Sequence, residues 1–339
     1  MTVTPAAPPK PHARRSWRLG DYLIYLVFVG ICLIFALATP NFFTAQNLLT
    51  VLKQTSFIAI VAVGMTFVII TAGIDLSVGG VVALAGVLAT MALMQWHLPL
   101  PLAALVGIAT GLAVGAFNGV AITRFNLPPF IATLAMWFIA GRDGGLAFLL
   151  TGGQPIWNLP DRFTAMGTGG FRLLSWRDAA GNLINLELPY VVLVMLAVVV
   201  AGHVVLSRTA FGRHVLAVGA NAEASRLSGI NVRRVTFAVY ALCGTLTGLS
   251  SLLLSARLGS GDPKSGMGME LDAIAAVVVG GTSLMGGKGT ILGTLVGALI
   301  MGVINNGLVI LQVSPYWQPV FKGAVIMLAV LIDQVTKKH

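Results

Sequence analysis

The feature that most constrains this chain is Ser207–Arg234, a basic island set between two long apolar runs. It carries Arg208, Arg213, Arg226, Arg233 and Arg234 against one acid, Glu223. Ionised side chains at this density are too costly for a bilayer core, so the island lies in water while its flanks cross lipid. Short loops rich in Lys and Arg are held on the cytoplasmic side, and every other segment is oriented by counting outward from here. Inside the island Asn221 precedes a run of small residues and Gly229 follows it, which reads as an amide cap, a short helix and a glycine stop.

Only 9% of the 339 residues are charged and 57% are hydrophobic, and the mean hydropathy is +0.90. That leaves too little polar surface to cover a soluble globule of this length. The expected class is all-α: a polytopic membrane protein of about ten transmembrane helices with both termini cytoplasmic. A net charge of +10 in a soluble protein would point to nucleic acid. Here the basic residues gather in the tail and the short loops, which is the topological use of charge, and no nucleic-acid partner is expected. Cys32 and Cys243 each sit inside an apolar run and read as small packing residues. The five histidines are scattered, so no metal site is expected.

Residues 1–20, rich in proline and arginine, read as a disordered basic cytoplasmic tail. The run Tyr22–Ala38 ends in an Ala-Leu-Ala that resembles a cleavage site, but its length and the many later spans favour an uncleaved first helix. With about 20 apolar residues per span, a transmembrane body is expected over 21–336. Its helices are expected at about 21–38, Phe57–Ala72, Leu76–Trp96, Leu102–Thr123 and 128–150. The second half continues with Pro189–Leu206, Val235–Ala256, Glu270–Met285, Thr290–Leu311 and Gln318–Ile332. The bend Thr39–Gln54, the long loop 151–188 and Arg257–Met269 fall outside, and the loop 207–234 inside. Gly107, Gly111, Gly115 and Gly119 recur on one face of the fourth helix, Gly244 and Gly248 on the seventh, and Gly289, Gly293 and Gly297 on the ninth. These are faces where backbones approach closely, most simply within one subunit.

Four motifs in order carry a resemblance: GIDLSVGG at Gly73–Gly80, FGRHVLAVGANAEASRLSGINVRR from Phe211, ELDAIAAVVVGGTSLMGGKGT from Glu270, and GALIMGVINNGLVIL from Gly297. They resemble the membrane permease subunits of bacterial ABC importers for ribose, xylose and related monosaccharides, over nearly the whole chain after the tail. Ala72 and Ala220 stand where that family's pattern has glycine, and Asp143 interrupts an Arg-Gly pair after Arg142.

The resemblance implies a chain in the bacterial inner membrane, working with a second permease subunit, most simply a copy of itself. It implies a cytosolic ABC ATPase and a periplasmic or extracellular sugar-binding protein as further partners, with lipid around the whole. It also implies that Gly212, Arg213, Gly219, Asn221, Ala224, Ser228 and Gly229 couple the chain to the ATPase. No cofactor is expected. The stretch Thr282–Gly289 lacks the first glycine and the final Ser or Thr of a phosphate-binding loop and reads as a tight turn.

Candidate pathway groups are Asp75, Asn118, Glu270, Asp272, Asn305 and Asn306. Each has a plainer reading. Asp75, Glu270 and Asp272 can cap helix starts, and the asparagines can join helices. Lys322 is expected to snorkel to the outer interface, and Arg142 and Asp143 either to neutralise each other near the outer end of the fifth helix or to mark a polar funnel. Two rivals remain: a permease for another solute such as branched-chain amino acids, and an ion-coupled secondary transporter. The second needs a carboxylate or an unwound site deep in the bilayer, and the acids map to helix ends.

Overall fold

The computed structural model describes residues 20–141, 144–177, 183–325 and 327. The tail and the Arg142–Asp143 pair therefore lie outside the described residues. The helices of the first half are α1 (Gly20–Ala38), α2 (Ala45–Ile70), α3 (Val78–Met94), α4 (Leu100–Arg124), α5 (Pro129–Ala140), α6 (Gly145–Thr151) and α7 (Asp161–Thr168). A hairpin of β1 (Gly170–Arg177) and β2 (Leu183–Pro189) follows. The second half is α8 (Tyr190–Arg208), α9 (Ala210–Ala220), α10 (Ala222–Leu227), α11 (Val232–Leu258), α12 (Met269–Val279) and α13 (Ile291–Ile310). Residues 318–325 are again helical.

Six helical stretches are long and apolar enough to cross a membrane among the described residues: α2, α4, α5 with α6, α8, α11 and α13. The other four expected spans are not among these six. α1 and α3 supply apolar stretches of intermediate length, α12 has 11 residues, and only 318–325 and 327 of the last span are described. The architecture is helical and membrane-embedded.

α2 runs through the centre, packed by α8, α11, α12 and α13, and Phe57 through Ile70 is almost continuously buried. It starts at Ala45, inside the stretch expected to be an outer bend. Thr44 caps it by accepting from the Asn47 amide. Gln46, Asn47, Thr50 and Lys53 do not stop the helix, because polar groups on its faces leave the backbone ladder intact. A hydropathy ruler measures apolar length, not helix length.

Apolar surface gives helices no reason to associate in lipid, so close contact of small residues must do so. α4 and α11 meet in that way. A side chain at Gly111 would run into the Gly244 carbonyl and the Gly248 backbone, and one at Gly115 into the Tyr240 carbonyl and the Gly244 backbone. Gly119 faces Phe237, whereas Gly107 faces Ala85 and Ala89 of α3. The glycine stripe thus works inside one subunit, as expected. Gly293 and Gly297 do the same against Gly280 and Ala276. Cys243 is buried against Gly64, whose added Cβ would lie 2.8 Å from the Cys243 Cα.

The described residues of the expected loop 151–188 are structured. Ile156 and Gly261 exchange backbone hydrogen bonds of 3.1 and 3.0 Å, and α7 buries Phe163 against the end of α11. β1 and β2 pair antiparallel from Gly170 opposite Pro189 to Arg177 opposite Leu183, with a bulge between Arg172 and Leu174. The residues carry a signal for it: Ile184, Leu186 and Leu188 alternate with Asn185 and Glu187, the period of a strand.

Candidate functional site

The basic island folds as two short helices at one end of the bundle, the basic end. Thr209 caps α9 by accepting from the Gly212 amide at 3.2 Å. A Cβ at Gly212 would strike the Leu206 carbonyl, so glycine is what lets α9 turn tightly off α8. Phe211 stacks on Phe67 of α2, with ring centroids 6.1 Å apart. Asn221 caps α10 by accepting from the Ala224 amide at 2.9 Å, and the Ser228 hydroxyl donates to the Ala224 carbonyl at 2.9 Å. Gly229 has φ 83, and a Cβ added there would meet nothing within 4 Å; its backbone, not its surroundings, calls for glycine.

α10 projects into open space. Arg213, Asn221, Ala224, Ser228 and Gly229 are exposed, Leu227 is 81% exposed, and Arg226 pairs with Glu223 at 2.6 Å. Behind this knob the backbone is interlocked. The Gly287 amide donates to the Ile70 carbonyl at 2.8 Å, and a Cβ at Gly219 would collide with that same carbonyl and approach the Gly287 amide. The C-terminus of α2, the end of α9 and the turn between α12 and α13 therefore form one platform. Ala72, at φ 59, occupies a left-handed position beside Gly286, which accounts for the glycine that the resemblance leads one to expect there. The sequence reading of Thr282–Gly289 as a turn contained no sign that this turn meets the island.

Past Ala72 the chain turns back into the bundle. The Ile74 carbonyl accepts from the Tyr240 hydroxyl and from Thr133 Oγ1, each at 3.3 Å. Asp75 Oδ1 accepts from the Ser77 amide at 2.9 Å and the Ser77 hydroxyl at 2.6 Å, and Asn118 Nδ2 donates to that hydroxyl oxygen at 2.9 Å. Asn118 lies six residues before the end of α4, so this group sits about 9 Å inside the basic end at 1.5 Å per residue. Asp75 is 1% and Asn118 0% exposed. α3 thus begins in the interior. α12 begins beside it, with the buried Glu270 carboxylate lying against Gly79. The acids are at helix ends, as the sequence indicates, but those ends are buried. The inference that helix-end acids must be superficial fails, because an interrupted helix places its terminus inside the protein.

Two other expected groups have different surroundings. Lys322 does not reach outward: its Nζ donates to both carboxylate oxygens of Asp272 at 2.9 Å, tying residues 318–325 to α12. A cation beside a carboxylate at a helix start gains more from that pair than from a partial reach to water. Asn306 Nδ2 donates to Asn47 Oδ1 at 2.9 Å, joining α13 to the first turn of α2. The Oδ1 atoms of Asn305 and Asn306, together with Thr55 Oγ1 further along α2, are buried without hydrogen-bond partners. Asp75 and Asn118 are therefore brought together, with Glu270 at the neighbouring helix start. Asn306 stands apart on the α2–α13 seam with Asn305 next to it in the chain, and the α9–α10 residues form a third group.

Among the described residues no group of His, Cys, Asp and Glu could hold a metal ion. Residues 47–330 match the family described as branched-chain amino acid transport system / permease component. The ribose import permease protein RbsC of Escherichia coli K12 is 43% identical over 319 residues, covering 94% of this chain and 95% of the relative. The ribose import permease of Bacillus subtilis 168 is 41% identical over 318 residues, covering 94% and 92%. The xylose transport system permease protein XylH of Haemophilus influenzae Rd is 35% identical over 372 residues, covering 96% and 98%. No solved structure gives a significant match. With this identity running almost end to end, the chain belongs to the family of bacterial transport-system permease components that includes the ribose and xylose import permeases.

Proposed function

We propose that the chain is the translocation subunit of an ATP-driven monosaccharide importer in the bacterial inner membrane, taking a ribose-like pentose or hexose. The observation that carries the coupling half of this reading is the capped, exposed α10 standing on the interlocked platform of Ile70, Gly219 and Gly287. A rigid base transmits a push, and an exposed Leu227, on an island whose exposed arginines include Arg213 and Arg226, offers an apolar contact in a basic setting to an acidic cleft. A cytosolic ABC ATPase is the partner at this end, with hydrolysis occurring there and not in this chain. A sugar-binding protein delivers cargo at the opposite end, and a second copy of the chain completes the pathway.

In this arrangement the basic end is cytoplasmic and about ten segments cross or enter the bilayer, the short α3 and α12 included. Asp75, Asn118 and Glu270 lie where two interrupted helices start, the usual place for solute contact in broken-helix transporters. Asn305 and Asn306 serve the pathway through the α2–α13 seam. Asp272, held by Lys322, contributes structure more than solute contact.

The test is uptake of labelled ribose into vesicles carrying this chain, its ATPase and its binding protein. Uptake should require ATP and persist with an ionophore present. Uptake that survives ATP removal and collapses with the ionophore would instead point to ion coupling. The family description names branched-chain amino acids, which gives the second reading. Transport of leucine in place of ribose in the same vesicles would establish it.

A further inference from the structure

At the end of the bundle away from the platform, the first two turns of α2 and the last residues of β2 border an open cavity of about 230 Å³. Its walls are Gln46, Leu49, Thr50 and Lys53 from α2, with Glu187 and Pro189 from β2. The α2 residues are spaced at i, i+3, i+4 and i+7, so one helix face presents an amide, a hydroxyl and an ammonium together. Across the cavity stands a carboxylate. Lys53 Nζ donates to the Thr168 carbonyl at the end of α7 at 3.4 Å. The Thr50 hydroxyl gives its proton to the Gln46 carbonyl at 2.9 Å, which leaves its oxygen as an acceptor. Leu49 and Pro189 add a small apolar surface.

We propose that this cavity is a low-affinity receiving site for a monosaccharide on its way into the pathway. Its volume equals that of about seven or eight liquid waters at roughly 30 Å³ each, close in scale to the ten non-hydrogen atoms of a pentose. Its walls carry both donors and acceptors, as a polyhydroxyl ring requires, and a carboxylate or ammonium makes a stronger hydrogen bond to a hydroxyl than a neutral group does. The apolar pair meets the C–H face of the ring. Level with the cavity, a neighbouring face of α2 carries Asn47, bonded to Asn306. Buried unpartnered oxygens lie nearby, those of Asn305 and Asn306 near that bond and that of Thr55 two residues past Lys53 along α2, so hydrogen-bonding groups border the apolar core at this end. A solute accepted from a delivery protein must also be released, and a cavity open to water with few groups suits that need.

The inference rests on the sugar-import reading, and its test separates the two. In protein carrying Cys32→Ala, with the buried Cys243 kept, Thr50→Cys is labelled by a small charged thiol reagent in lipid nanodiscs. With ribose at about ten times a Kd near 1 mM, labelling should slow about tenfold. Leucine at the same concentration should leave it unchanged. Leu48→Cys, exposed one residue from the cavity wall, should label equally with and without ribose. Lys53→Ala and Glu187→Gln should raise the KM of ATP-driven ribose uptake more than they lower kcat. If ribose uptake is intact but ribose does not protect Thr50→Cys, or protects Leu48→Cys equally, the receiving site is overturned while the importer stands. Protection by leucine alone overturns both.

Discussion

The two ends of α2 are built on opposite principles. At the basic end, backbone meets backbone: the Ile70 carbonyl takes the Gly287 amide at 2.8 Å, and Gly219 lies too close for any side chain. At the other end the same helix stands beside a cavity of about 230 Å³ walled by long polar side chains. Interiors packed without voids transmit displacement and resist deformation, whereas a water-open cavity with adjustable side chains can take up and release a solute. The difference teaches that one central helix joins a stiff end, suited to being pushed, to a yielding end, suited to exchanging cargo.

That comparison can be broken most directly at Gly219. Gly219→Leu forces a side chain into the Ile70 carbonyl and should cost about 3 kcal/mol, seen as a lower midpoint in thermal unfolding together with lost uptake. Wild-type melting and transport in that variant would show that the basic end is not locked. Asp272→Ala comes next. It strands Lys322, whose pair is mostly buried at 26% and 15% exposed, and should cost about 3 kcal/mol. The double change Asp272→Leu with Lys322→Met should recover most of that loss. A double variant no better than the single would deny the ion pair its tying role.

A smaller and more selective effect is expected at Gly229. Valine there meets no neighbour but must hold a left-handed φ, at about 1–2 kcal/mol. The protein should remain in the membrane and assemble, while ribose imported per ATP hydrolysed falls. An unchanged ratio would remove α10 from the coupling role. The smallest effect is at the cap. Asn221→Ala loses the bond to the Ala224 amide and should cost about 1 kcal/mol, visible as faster amide exchange confined to residues 222–228. Exchange that spreads through α9 would show that the knob and the platform are a single unit and not two.

Much of this is legible in the residues. α4, α8, α11 and α13 lie within a few residues of the stretches that apolar length indicates, because a continuous apolar run leaves a backbone in lipid few options besides helix. The α9–α10 island can be read for the same reason in reverse, since its arginines exclude it from lipid and Asn221 and Gly229 mark where α10 starts and stops. The start of α2 escapes such a reading because Gln46, Asn47, Thr50 and Lys53 look like loop residues, although they ride on a helix whose other faces are apolar. The hairpin escapes it too, although alternation from Ile184 to Leu188 signals a strand.

The sequence by itself determined that the chain is helical, that it is membrane-embedded, which stretch must remain in water, and where glycine lets helices approach closely. Each of these depends on a residue's own transfer cost or size. Only the tertiary structure decided that α3 and α12 begin inside the protein, that Asp272 holds Lys322, and that Gln46, Lys53 and Glu187 share one cavity. Those are relations between residues up to about 190 positions apart in the chain, and local periodicity carries no term for which helix end meets which neighbour.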